Sequence, residues 1–107
     1  MTARCMVKLE LLIDMKVDEF LVDKKRSASR GGWDSHDLIL AVAKWHQQEY
    51  IEGLFWAAQA RRNAPFQHLH GLMGKRIKKV MEAKGYVGKP HGSKDIFGQD
   101  EPCVKWV

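Results

Sequence analysis

From Cys5 to Val17 apolar residues recur at every second position. Cys5, Val7, Leu9, Leu11, Ile13, Met15 and Val17 alternate with Met6, Lys8, Glu10, Leu12, Asp14 and Lys16. A period of two marks a strand with one buried and one solvated face. Residues 5–18 are therefore expected to form a long strand, or a hairpin if the chain turns near Ile13 and Asp14. A lone strand is not stable in water, so this one needs a partner. Within the chain the other strand material is Cys103-Val104-Lys105-Trp106-Val107, with Asp95-Ile96-Phe97 as a weaker candidate. A second copy of the chain is the alternative partner, which makes a homodimer through the edge of the N-terminal strand an open reading.

Polarity then rises. Residues 23–32 carry charges, serines and the pair Gly31-Gly32, and are expected to form an exposed loop. A helix start follows. Asp34 can cap free amides, Asp37 three residues on completes a capping-box pair, and Trp33 can pack on Leu38 across the cap. Helical periodicity (Leu38, Ile39, Val42, Trp45, Tyr50, Leu54, Phe55, Ala58) continues over residues 34–62, with Gly53 the one candidate break. Pro65 suits the first turn of a new helix, whose apolar stripe is Phe66, Leu69, Met73, Ile77, Val80 and Met81. Gly85 then supplies a left-handed C-cap, with Tyr86 as its hydrophobic follower. Gly71 and Gly74 lie inside this span, so residues 65–84 read either as one basic amphipathic helix or as two short helices with a turn at Gly74. Residues 88–94 read as a loop leading to the final strand. The sum is one α+β domain: two or three helices packed on a small antiparallel sheet made from the N- and C-terminal strands.

At 107 residues and 45% apolar content, the chain is long enough for one modest core and not charged enough to be disordered. No apolar run approaches the roughly 20 residues that cross a bilayer. Met1-Thr2-Ala3-Arg4 leads into alternating charge rather than a signal-peptide core. The expectation is a cytoplasmic protein with no membrane partner. Cys5 and Cys103, one near each end, fit two reduced thiols better than a disulfide framework, although a bridge between terminal strands is the alternative.

Charge is distributed unevenly. Residues 61–94 hold nine Lys or Arg (Arg61, Arg62, Lys75, Arg76, Lys78, Lys79, Lys84, Lys89, Lys94) against one acid, Glu82, while the whole chain is only +5. Four of the nine fall in Lys75-Arg76-Ile77-Lys78-Lys79, whose apolar residues keep a separate face. Cations on an ordered surface suit an anionic partner, and nucleic acid is the commonest one.

The run Leu72-Met73-Gly74-Lys75-Arg76-Ile77-Lys78-Lys79-Val80-Met81-Glu82-Ala83-Lys84-Gly85-Tyr86-Val87 resembles the winged helix-turn-helix superfamily. It has a turn glycine, a basic recognition helix and a Gly-aromatic-aliphatic exit into a wing, over about residues 50–107. The stretch also looks like the C-terminal segments of some phage and plasmid replication proteins, in which a basic helix precedes a Trp-ending strand. The resemblance implies that a helix beginning at Lys75 enters a groove of DNA. Lys75, Arg76 and Lys79 would contact phosphates or base edges, and Lys89, His91 and Lys94 would touch the backbone or minor groove from the wing. Arg61, Arg62 and Lys78 complete the nucleic-acid-binding set expected of the basic half. The bland reading is a solvated helix face, and an acidic protein is the other partner such a face fits.

Metal and catalytic chemistry find no support in the spacing. His68 and His70 are two apart on a helix and diverge, His36 and His46 are ten apart, and neither cysteine has a Cys or His close in sequence. The acids are scattered, no phosphate-cradling loop is present, and no nucleophile stands beside a base. No metal, no cofactor and no enzymatic activity are expected. Trp45, Phe55 and Phe66 read as core, Trp106 as core or stacking platform, and Trp56 as exposed if Phe55 faces inward. The function read from sequence is thus a small nucleic-acid-binding regulatory or accessory protein. The rival is a phage-type protein inhibitor or adaptor that binds a host complex, of the anti-CRISPR or nuclease-inhibitor class.

Overall fold

The computed structural model describes residues 4–22, 33–61 and 63–106. The exposed loop expected over residues 23–32 lies outside them. The fold is α+β: α1 (Arg4–Val22), β1 (Trp33–Asp34), α2 (Ser35–Trp45), α3 (Gln47–Ala60), α4 (Pro65–Ala83), β2 (Gly88–Lys94) and β3 (Asp100–Trp106).

The N-terminal strand is corrected to a helix. In α1 the buried residues are Met6, Leu9, Ile13, Val17 and Phe20, spaced by three and four. The other half of the alternation, Val7, Leu11 and Met15, points outward and is exposed. Two periods coexist in this segment, and the backbone decides between them. A helix satisfies its own amides, whereas a long strand would need a partner of matching length, and the C-terminal strands have seven residues each. The rich supply of Leu, Met, Lys and Glu also favours the helix. With the strand goes its exposed edge, so the homodimer through that edge loses its basis.

The chain enters α2 as its sequence predicts. Asp34 Oδ1 accepts the Asp37 amide at 2.9 Å, and Asp37 Oδ2 accepts the Asp34 amide at 3.0 Å. Trp33 and Leu38 are both buried on either side of this cap. The helical span breaks at His46, whose backbone leaves the helical region (φ −131°, ψ 57°), and not at Gly53. No residue type at His46 announces the break. Gly53 is instead a packing glycine inside α3. A β-carbon there would stand 3.0 Å from a Leu9 methyl of α1 and 3.4 Å from a Leu69 methyl of α4.

Residues 65–83 form one helix, so the version with a turn at Gly74 is corrected. Gly71 and Gly74 face outward with open space where a side chain would be. The expected stripe holds, with Leu69, Met73, Ile77 and Met81 fully buried. The C-terminus closes as expected: Gly85 has φ 88°, Tyr86 N–H donates to Met81 C=O at 3.1 Å and Gly85 N–H to Glu82 C=O at 3.0 Å. These are the paired bonds of a Schellman cap.

Gly88–Lys94 is a strand, not the expected loop, and residues 95–97 lie in its turn, not in a strand. The sheet order is β1-β3-β2, all antiparallel, with Trp33 and Gly88 on either side of Trp106. Pro90 is tolerated because β2 is an edge. Gly88 is required by the ring beside it, since a β-carbon there would overlap a Val104 methyl and come within 2.8 Å of Trp106. Helix α1 packs against α2, α3 and α4 to form the core, which Trp33 and Trp106 extend to the sheet. Both cysteines are free thiols.

Candidate nucleic-acid interface

The nine predicted site residues separate into two groups. Arg76 is taken inward, its Nε and Nη2 donating to the two carboxylate oxygens of Asp14 at 2.9 and 2.7 Å while Nη1 lies 3.6 Å from Glu10. The hydrogen bonds to Asp14 raise its pKa further. It ties α4 to α1. Lys94 pairs with Asp100 across the hairpin at 2.9 Å, and His91 Nε2 lies 3.7 Å from Asp34 Oδ2. Lys84, from the same basic half, reaches Asp18 at 3.1 Å. Arg62 lies outside the described residues. Arg61 is exposed at the end of α3 and Lys89 is exposed on β2.

Lys75, Lys78 and Lys79 remain. Their spacing of three and four places them on one exposed face of α4, and among the described residues they make no ion pair. The set expected on one flank therefore contracts to three lysines on a 19-residue helix.

A cleft lies on each side of this ridge. The larger, about 380 Å³, runs between α4 and the β2–β3 hairpin, with Lys75 and Lys78 on its wall. Phe66, His70 and Phe97 also line it: Phe97 meets Phe66 edge-on at 4.6 Å and stacks on His70 at 6.3 Å. Phe97 is carried by the turn, where the Asp95 carboxylate accepts the amides of Phe97 (2.8 Å) and Gln99 (3.0 Å) and Gly98 takes φ 79°. The Gln99 amide leads in holding the Asp95 carboxyl below its usual range. Phe97 is still 54% exposed, enough to offer an edge to a planar partner. The second cleft lies between α4 and α1, with Lys75, Arg76, Lys79, Leu72 and Trp56 among its residues.

His70 pairs with the Tyr50 hydroxyl at 2.6 Å. Burial pushes its imidazole below the ordinary value, opposed by Asp95 and aided by His36, and burial likewise pushes the Tyr50 phenol up to about 12. Burial thus favours the uncharged form of both, and Lys75 and Lys78 share this cleft with the acids Asp95 and Glu101.

Sequence reasoning missed two groups of residues. One is the Tyr50, Phe66, His70 and Phe97 cluster. An aromatic held in a Gly-containing turn was the available local signal for Phe97. The other lies at the foot of the large cleft, where His36 Nδ1 is 2.7 Å from Ser93 Oγ and Ser93 Oγ is 3.6 Å from Cys103 Sγ. No local pattern marks it, because three separate segments supply it.

The aromatic readings need correction too. Trp45 and Phe55, expected in the core, are 69% and 68% exposed. Trp56 is half-buried and stacks on His68 at 5.9 Å, and Trp106 is core. His68 and His70 do diverge, one towards Trp56 and the other towards Phe97.

No protein-family model, no curated protein and no solved structure matches this chain.

Proposed function

We propose that the protein binds nucleic acid along the outer face of α4, as a small non-enzymatic accessory or regulatory module. One observation carries the reading: Lys75, Lys78 and Lys79 form a cationic row, with no ion pair among the described residues, beside a cleft edged with the exposed ring of Phe97. Cations that follow a backbone beside a ring on which a base can stack are the two parts of single-strand recognition. A duplex offers the same phosphates but keeps its bases stacked away from that ring. The reading thus favours an unpaired strand over the duplex groove implied by the winged-helix resemblance. Lys75 lies in mid-helix, so α4 presents a side and not a tip.

The test is fluorescence anisotropy with labelled single-stranded and duplex oligonucleotides at low salt. The expected result is tighter association with single strands and a loss of more than about tenfold when Lys75, Lys78 and Lys79 are all replaced by Gln. Phe97→Ala is expected to weaken single-strand binding by about 1–3 kcal/mol and to change duplex binding little. Absence of binding at low salt, or equal binding by the triple variant, contradicts the proposal.

A separate observation favours a second reading, the protein-binding inhibitor or adaptor. Trp45, Ile51 and Phe55 on α2 and α3 are each at least 60% exposed. Large side chains of this kind anchor protein interfaces. A negative result with every nucleic acid would shift the assignment to that surface.

A further inference from the structure

We infer that Asp34, His36 and Cys103 form a binding site for a zinc-class divalent ion, with His91 as the fourth donor. The sequence separates these residues by up to 69 positions, and the fold converges them from three segments. Asp34 and His36 flank the start of α2, and β2 carries His91. Cys103 lies directly across the β2–β3 ladder from His91, which puts the two side chains on one face of the hairpin. One donor atom each from Asp34, His36 and Cys103 lie within 4.8 Å of one another.

The chemistry of the set is specific. Thiolate, imidazole and carboxylate together suit zinc among the common divalent ions, and magnesium or calcium would call for oxygen alone. Asp34 is able to serve twice. Its Oδ1 is committed to the Asp37 amide, while Oδ2 faces His91 Nε2 at 3.7 Å. Bonds of about 2.0–2.3 Å around a tetrahedral ion set donors roughly 3.5 Å apart, so the Asp34, His36 and Cys103 donors need a closure of about 1 Å, within reach of side-chain rotation, and His91 joins them by turning in from its place beside Asp34. Ser93 Oγ contacts both His36 Nδ1 and Cys103 Sγ and so bridges the two, which leaves His36 Nε2 as the nitrogen free to face an ion. His36 and Cys103 also line the large cleft, which gives an ion its entry path. Cys103 transfers its thiol proton to solvent when the ion binds, so affinity rises with pH.

The site is tested with the full chain and no nucleic acid present. Addition of Co(II) is expected to produce a thiolate-to-metal charge-transfer band that saturates at one equivalent and is displaced by Zn(II). Cys103→Ser abolishes the band and Cys5→Ser keeps it. His91→Gln weakens Zn(II) by at least about 10-fold, the least that loss of even an outer partner of a metal ligand costs. A measurement on the unaltered chain guards against variants that fail to fold: Zn(II) should slow alkylation of Cys103, read by peptide mass spectrometry, and leave Cys5 unchanged. Stoichiometric protection of Cys103 supports the site. A band that persists in Cys103→Ser, equal alkylation of Cys103 with and without Zn(II), or no binding at micromolar metal overturns it.

Discussion

His70 is held between Phe97 and the Tyr50 hydroxyl, and burial favours its uncharged ring. In the unfolded chain the same imidazole takes up a proton near pH 6.5. The folded ring resists until a lower pH. Between those two values the unfolded state binds more protons, so stability falls as pH drops from about 6.5 towards the depressed folded value. Thermal melts across that interval are expected to show the loss, and His70→Gln to flatten it. A folded His70 that titrates at or above 6.5 by NMR contradicts the assignment. Gly88 makes a second prediction at this scale. Its missing side chain is the space that Val104 and Trp106 occupy, so Gly88→Ala should cost about 1–3 kcal/mol in denaturant unfolding. Unchanged stability would mean that the edge strand moves aside freely.

Helix α1 shows how an element is chosen when its sequence carries two periods. Leu9 and Leu11 belong to the same face of a strand but to opposite faces of the helix, where Leu9 is fully buried and Leu11 is 58% exposed. Leu9→Lys is expected to destabilise by more than about 3 kcal/mol, and Leu11→Lys to stay within about 0.5 kcal/mol. Equal damage from both would restore the strand. In α4, Gly74 faces open space within a regular helix, so Gly74→Ala should stabilise by about 0.5–1 kcal/mol while narrowing the large cleft it lines. Signals confined to a few neighbouring residues were legible from sequence: the Asp34–Asp37 cap, the Pro65 start, the buried stripe of α4 and the Gly85 terminus. What was not legible depended on distant partners. Gly88-Lys89-Pro90-His91-Gly92-Ser93-Lys94 has the composition of a loop and becomes a strand because β3 supplies its ladder. Trp45 and Phe55 fit the helical period yet face out, because α2 and α3 break at His46 and each orients its own face.

At the scale of the whole molecule, the question is which charges remain for a partner. The sequence gives the sign and the region of the basic surface, but ion pairing is set by packing. Arg76 sits in the middle of the cationic run and is spent on Asp14 and Glu10 of α1, a helix more than 60 residues away in sequence. In the proposed function, the recognition role that the resemblance implies for it passes to its neighbours. Arg76→Gln is expected to lower stability, with a coupling to Asp14 of up to about 1 kcal/mol in a double-mutant cycle, and to leave nucleic-acid affinity within about twofold. The aromatic edge of the proposed interface and the Asp34, His36 and Cys103 cluster were hidden for the same reason: each is assembled from segments that only the tertiary fold brings together.

The most direct test of the central claim, that Lys75, Lys78 and Lys79 on α4 form an anion-binding row, is the salt dependence of single-strand affinity. Three phosphates neutralised on a single strand predict a slope of log K against log salt of about −2, from roughly 0.7 per contact. Each Lys→Gln change at Lys75, Lys78 or Lys79 should reduce the slope by that amount, and Arg76→Gln should leave it alone. A slope near zero, or one that Arg76→Gln alters and the lysine changes do not, would contradict the account.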